Sequence, residues 1–251
     1  SEFDSMLLRL YQVLLYLIQP LIWLRLLLRS RKAPAYRKRW GERYGFCKGK
    51  VVPQGILLHS VSVGETLAAV PLVRALRHHY PDLPITVTTM TPTGSERVRS
   101  AFGDDVYHVY LPYDLPGSVN RFLKTVDPKL VIIMETELWP NLISKLHQRK
   151  IPLIIANARL SERSAAGYQK LGSFVKTMLQ KITLIAAQNQ EDGERFIGLG
   201  LKRSHLHVTG SLKFDISVTP ELAARAVALR RQWAAHRPVW IATSTHEGEE
   251  T

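Results

Sequence analysis

At 251 residues the chain can build one large domain or one and a half ordinary ones. It carries 34 Lys/Arg against 21 Asp/Glu, a net charge of +13. Its single cysteine, Cys47, excludes an intrachain disulfide and any multi-cysteine zinc site, which suits a reducing compartment. Cys47 itself reads as an incidental thiol. The charge is uneven: residues 1–50 hold 11 cations and 3 anions, and the remaining 201 hold 23 and 18. Most of the excess therefore adjoins the most apolar segment.

In chain order, residues 1–5 (SEFDS) read as a cloning scar ahead of Met6 and are set aside. Residues 6–28 predict a membrane anchor helix. Leu7–Leu28 is long enough to span a bilayer, which takes about 20 apolar residues. Arg9, Gln12, Gln19, Pro20 and Arg25 interrupt it, so its clean part is Leu10–Leu24. Shallow insertion and spanning with snorkelled arginines both fit, and a buried soluble helix is the competing reading. A cleaved signal peptide fits poorly, since no small-residue cleavage site follows.

Residues 29–52 form a basic juxtamembrane segment. Eight cations fall between Arg25 and Arg43, opposed by Glu42 alone. Positive charge beside an apolar segment marks the cytoplasmic side, and each cation near an anionic leaflet contributes about 1 kcal/mol. Nucleic acid is the obvious competitor for so basic a chain. No recognition helix, zinc finger or RNA-binding aromatic motif accompanies the charge, so the expected partner is an anionic membrane and not nucleic acid.

Beyond Pro53, short apolar runs alternate with helical periodicity. Strands are expected at 56–60, 85–90, 106–111, 130–134, 152–156, 182–187 and 206–209, and helices at 66–79, 95–102, 117–126, 140–149, 162–180 and 190–199. This alternation predicts an α/β fold with a Rossmann-like, doubly wound parallel sheet over residues 53–215. Residues 216–237 read as a linker and helix, and 238–251, with a fresh strand at its start, as the opening of a second domain.

Two strand ends carry carboxylates. LVIIMETELWPN (130–141) is an apolar strand followed by Glu135 and Glu137, then Trp139-Pro140-Asn141 opening a helix. HSVSVGE (59–65) repeats the pattern, with Gly64-Glu65 at a strand-to-helix corner before a helix expected from Thr66. Ligands of open α/β sheets bind outside the carboxyl ends of the strands, so both glutamates are site candidates. There is no phosphate loop, no convincing G-x-G-x-x-G, no Asp-x-Asp pair, no H-E-x-x-H and no G-x-S-x-G. What remains is carboxylate-driven transfer, in which Glu takes the proton of an attacking alcohol. The bland alternative for Glu65 is a helix-start carboxylate, worth about 0.3–1 kcal/mol.

Five motifs in order, HSVSVGE (59–65), TTMTPTG (88–94), METELWPN (134–141), IANARLS (155–161) and GSLKFD (210–215), give a chain that resembles the Kdo transferase family. Those are membrane-associated glycosyltransferases that add 3-deoxy-manno-octulosonic acid (Kdo) to lipid A precursors. The resemblance implies the N-terminal half of a two-domain GT-B enzyme. It makes Glu65 the general base, Glu135 a transition-state contributor with Glu137 in reserve, and Lys213 the cation that neutralises charge on the departing phosphate. It places Ser62, Gly64, Thr91, Arg159 and Ser161 at the acceptor, and leaves Trp139 to packing. The implied donor is CMP-Kdo, with no cofactor or metal, and the implied acceptor is lipid IVA at the cytoplasmic face of the inner membrane. In the family the nucleotide is held mainly by later motifs, so the 251-residue chain alone is expected to be inactive or nearly so. A uridine-sugar donor and a non-catalytic lipid-binding half-domain are the alternatives.

Overall fold

A computed structural model describes residues 1–135, 138–209, 224–226 and 228. Most of the expected 216–237 linker and all of 238–251 lie outside the described residues.

Seven parallel strands form one sheet: β1 (Ile56–His59), β2 (Ile85–Thr89), β3 (Tyr107–Tyr110), β4 (Leu130–Met134), β5 (Leu153–Ala158), β6 (Leu184–Ala187) and β7 (Leu206–Val208). Their order is 3-2-1-4-5-6-7, so the chain reverses its direction of travel across the sheet between β1 and β4. The strands β1, β2, β4, β5 and β6 are buried at every residue, which is why Ile56–Leu58, Leu130–Met134 and Leu184–Ala187 read as apolar runs without alternation, whereas β2 (ITVTT) alternates apolar residues with threonines.

Successive strand residues feed opposite cores. Ile56, Leu58, Ile132, Met134 and Ile154 join Leu72, Val73 and Leu76 of α2 (Val63–His79) and Val98 of α3 (Pro92–Phe102). Leu57, Val131, Ile133, Leu153 and Ile155 join Phe122 of α4 (Pro116–Val126), Leu142 and Leu146 of α5 (Pro140–Gln148), Leu179 of α7 (Ser173–Gln180) and Phe196 of α8 (Gln190–Gly198). Burying each such side chain stabilises the fold by roughly 1.5–3 kcal/mol.

Three helix boundaries differ from expectation, for local reasons. The helix α2 starts at Val63, not Thr66, because Ser62 and Glu65 form a reciprocal capping box. The helix α3 starts at Pro92, where Thr91 caps it. The stretch 162–180 is two helices, α6 (Glu162–Gln169) and α7, parted where Gly172 adopts φ +51.

The N-terminal helix α1 (Glu2–Ser30) inverts the usual amphipathic order. A stripe at Tyr11, Gln12, Leu15, Gln19, Ile22, Leu26 and Ser30 turns inward. Its polar members bond to the domain or to the turn after the helix. Tyr11 donates to Asp114 at 2.8 Å, Gln12 to Asn141 at 2.8 Å, and the Tyr44 hydroxyl to Gln19 at 2.6 Å. Arg37 donates to Ser30 at 2.7 Å. The opposite face, including Leu10, Leu14, Leu17, Leu21, Leu24 and Leu28, is exposed.

The basic segment divides in two. Arg25, Arg29, Arg31, Lys32, Arg37 and Lys38 are exposed. Arg39 and Arg43 are not surface charges, and this corrects the reading of the whole run as membrane-facing. Arg39 makes a two-pronged pair with buried Glu42, both contacts at 2.7 Å, and donates to Ser95 at 2.9 Å. Arg43 is buried and donates to the Met90 carbonyl at 2.8 Å. Both guanidinium groups stack on the Tyr110 ring, 4.1 and 4.4 Å from its centroid.

Burial pushes the Glu42 carboxyl up, but the bonds from Arg39, Lys50 and the Tyr110 N–H outweigh it and hold the group below its ordinary value of 4.5. Its contribution to stability is therefore full above that value and is lost as pH falls through the lower folded one. Glu42→Ala strands the partly buried Arg39 and should cost about 3 kcal/mol in denaturant unfolding at pH 7. The deficit should shrink in acid, whereas Lys38→Ala should change stability by less than about 0.5 kcal/mol.

Candidate active site

The site sits where the strand order reverses. The strand β1 ends at His59 and β4 at Met134, with the two in neighbouring register, His59 beside Ile133. From β1 the chain passes through Ser60, whose hydroxyl bonds Thr66 at 2.8 Å, to Ser62 at the N-cap of α2. Glu65 is thereby placed in the first helical turn. One carboxylate oxygen, Oε2, accepts from the Ser62 N–H at 2.9 Å, and the Glu65 N–H donates to the Ser62 hydroxyl at 3.1 Å. The other oxygen, Oε1, is buried and has no hydrogen-bond partner among the described residues. The N–H groups of Val63 and Gly64, at N1 and N2, have no acceptor within the helix. A side chain at Gly64 would meet only the Ser62 hydroxyl, at 3.8 Å, so this turn is open on its outer side.

The ends of β4 and β5 are strained side by side. Met134 pairs with Ala156, and the Glu135 N–H donates to the Ala156 carbonyl at 2.8 Å. Glu135 has φ +58 and Asn157 has φ +54, both in the left-handed region. Register with β6 shifts between Ile155 and Ala158, so Asn157 is the bulged residue. Bulges and left-handed non-glycine residues concentrate at functional sites because they re-aim side chains.

Glu65 and Glu135 line one cleft of about 280 Å³ together with Arg159, Leu160, Ser161, Ser164 and Tyr168. Burial raises the Glu135 carboxyl above its ordinary value, the neighbouring Glu65 raises it further, and Arg159 opposes both. Two carboxylates facing one space with a single guanidinium between the competing effects can hold and move a proton.

Of the residues singled out from the sequence, Glu65, Glu135, Arg159 and Ser161 meet in this cleft. Ser62 and Gly64 flank Glu65 at the start of α2 but do not line the cleft. Thr91 does not line it: it caps α3 one strand away, accepting from the Gly94 N–H at 3.1 Å. Ser161 caps α6 in the same manner, accepting from Ser164. Lys213 and Glu137 lie outside the described residues. Among the described residues no group of three or more His, Cys, Asp or Glu is placed to hold a metal ion.

Sequence reasoning missed three polar groups at the same sheet edge. His59 Nε2, Trp139 Nε1 and Asn157 Oδ1 are buried without a partner among the described residues, like Glu65 Oε1. Burial pushes the His59 imidazole down to about 3, so it is neutral, with Nδ1 bonded to the Thr88 hydroxyl at 2.8 Å. The His59 and Trp139 rings meet edge-on, 6.2 Å apart. Natural folds leave few buried polar atoms unpaired. Several at one strand-end cluster mark a surface that the described residues leave incomplete, and Trp139 presents a donor as well as packing.

Comparison with known proteins places this geometry in context. Residues 38–216 match the family model described as 3-deoxy-D-manno-octulosonic-acid transferase (kdotransferase). A Haemophilus influenzae protein named 3-deoxy-D-manno-octulosonic acid transferase is 52% identical over 96% of this chain and 57% of its own length. An Arabidopsis thaliana protein named probable 3-deoxy-D-manno-octulosonic acid transferase, mitochondrial, is 36% identical over 96% and 55%. The chain thus spans little more than half the length of these relatives. Among solved structures, an S. aureus MnaA–UDP co-structure aligns with a TM-score of 0.50 at 13% identity, covering 66% of this chain and 48% of that one. That likeness is of fold alone.

The opposing effects on Glu135 give a direct test. In a carbon-13 titration of labelled glutamates, Arg159→Ala should raise the Glu135 midpoint further, and Glu65→Gln should lower it. Unchanged midpoints in both variants would show that the three groups do not share one space.

Proposed function

The chain belongs to the Kdo transferase family, and on that footing we propose that it supplies the acceptor wall and the catalytic carboxylates for moving Kdo from CMP-Kdo to a phosphorylated lipid A precursor such as lipid IVA. The observation that carries this reading is the split state of Glu65. One oxygen is tied to the helix cap, the other is buried with no hydrogen-bond partner among the described residues, and the residue lines the cleft. A buried acceptor without a partner costs about 1–3 kcal/mol until a donor arrives, and an acceptor hydroxyl is such a donor.

In the proposed reaction Glu65 Oε1 takes the hydroxyl proton as the acceptor oxygen bonds to the anomeric carbon of Kdo. The bond from that carbon to the phosphate oxygen breaks, its electron pair leaves with CMP, and the anomeric centre inverts. Glu135, raised by its surroundings, contributes at the transition state from the neighbouring strand end. Lys213 is assigned to the charge that develops on the leaving phosphate or the donor carboxylate. Arg159, Ser161, Ser62 and the free N–H groups at Gly64 suit the phosphates of the acceptor. Thr91 keeps a role only for an acceptor long enough to pass β1. The nucleotide is assigned to the part of the relatives' length that this chain does not span, so the chain alone is expected to be inactive. No metal or cofactor has a part in this scheme.

The helix α1 fits the same reading. Its polar stripe is bonded to the domain along much of its length, so its apolar face can enter a leaflet only with the helix lying in the membrane plane. Exposed cations from Arg25 to Lys38 then meet anionic headgroups on the cytoplasmic side of the inner membrane.

Two measurements test this. Glu65→Gln in the full-length protein keeps the capping hydrogen bond and removes the base, so folding should persist while turnover falls about 10²–10⁴-fold. Near-normal turnover would remove Glu65 from the role. On the helix, Leu17→Glu with Leu21→Glu alters two residues that are 68% and 66% exposed. The pair should lose about 1.5–3 kcal/mol of vesicle binding per leucine, and undiminished sedimentation with anionic vesicles would exclude this face as the contact.

A further inference from the structure

The strongest constellation outside the cleft lies where α1 crosses the start of α5. Trp139, at the N-cap of α5, offers no side-chain acceptor to the free N–H groups of that helix. Asp114 supplies it from the connection before α4. Its Oδ2 accepts from the Asn141 N–H at 2.9 Å, its Oδ1 from the Leu142 N–H at 2.8 Å, and its backbone carbonyl from the Asn141 amide at 2.7 Å. The carboxylate is 2% exposed. The Tyr11 hydroxyl donates to the same Oδ2 at 2.8 Å, and Gln12 donates to the Asn141 side-chain oxygen at 2.8 Å. Burial outweighs these three donors to its carboxylate and leaves Asp114 raised to about 6. Two adjacent residues of α1 thus close the network that seats the α5 N-terminus.

Only residues 135–139 separate β4 from α5, and Glu135 is the first of them. Glu135 follows the strand directly, and Trp139 adjoins the α5 N-terminus that Asp114 caps; Asp114 is in turn held by α1.

We infer that α1 is a positioning element for the start of α5 and, through the short connection back to β4, for Glu135, and not only a membrane contact. Tyr11 and Gln12 hold Asp114 and Asn141, and through them set where Glu135 stands in the cleft. This rests on the transferase reading for its effect on turnover, but the mechanical link rests on the network alone. Displacement of a reacting group by about 1 Å can cost up to 10²-fold in rate, so loosening one end of a five-residue segment has a measurable effect.

The experiment uses the full-length protein in detergent micelles, where vesicle attachment is not required. Tyr11→Phe with Gln12→Ala should speed hydrogen–deuterium exchange at the Asn141 and Leu142 amides and lower kcat about tenfold with KM within about twofold. Its Tm should stay near that of the parent. Trp23→Phe serves as the control: it removes the 2.5 Å bond to the Tyr44 hydroxyl and loosens α1 away from α5. It should leave both readouts unchanged. Unchanged exchange at Asn141 and Leu142 in the double variant overturns the inference. So does faster exchange with kcat unaltered, or an equal kcat loss in Trp23→Phe. If the parent protein transfers no Kdo, the proposed function fails, and the exchange arm alone decides whether α1 holds the segment.

Discussion

The reversal of strand order between β1 and β4 is the constraint from which the rest of the molecule follows. A right-handed crossover from β1 carries α2 to one face of the sheet, and the crossover from β4 carries α5 to the other. The two helices diverge, so none of the described elements roofs the ends of β1 and β4, and a cleft opens there. Both glutamates are the product of that divergence. Glu65 enters from the α2 side and Glu135 from the β4 side, and the sheet register brings them to one space.

A cleft of this kind must be polar without collapsing on itself. Around it the chain meets that need with hydrogen bonds that use half of each group. Glu65 spends one oxygen on the Ser62 cap, and His59 spends one nitrogen on Thr88. Each is locked in orientation, and each keeps an unpaired atom. The left-handed backbone at Glu135 and Asn157 stands where the β4–β5 ladder ends, at Met134 beside Ala156. Such residues cost of order 1–3 kcal/mol each, a cost the apolar strands beneath can bear.

The helix α1 belongs to the same logic and not to a separate appendage. Its inward stripe mixes Tyr11, Gln12, Gln19 and Ser30 with Leu15, Ile22 and Leu26, while the outward stripe is apolar. Hydrogen bonds do much of the work of docking it, through Tyr11, Gln12 and Gln19. Hydrogen bonds are directional, so the helix has one seat, and that seat includes the buried carboxylate that caps α5.

Much of this was legible in the sequence, and what was legible is local. The apolar runs at Ile56–His59 and Leu130–Met134 announce parallel strands because a strand buried on both faces needs no alternation. The β-α rhythm announces the doubly wound sheet, and the glutamates after β1 and β4 announce the cleft. Even the early start of α2 was written in Ser62 and Glu65, since a capping box spans only three residues. Tertiary structure alone decided what depends on partners distant in the chain. Arg39 and Arg43 count as surface cations until Glu42 and Tyr110 are brought against them. Asp114 looks like a loop residue until it is found capping a helix 26 residues onward, with Tyr11 on its other side. Asn157 and Trp139 look like strand and packing residues until burial leaves each with an unpaired atom beside the cleft. Periodicity and capping are properties of neighbours along the chain. Burial and hydrogen-bond satisfaction are properties of neighbours in space, and only the folded sheet sets which those are.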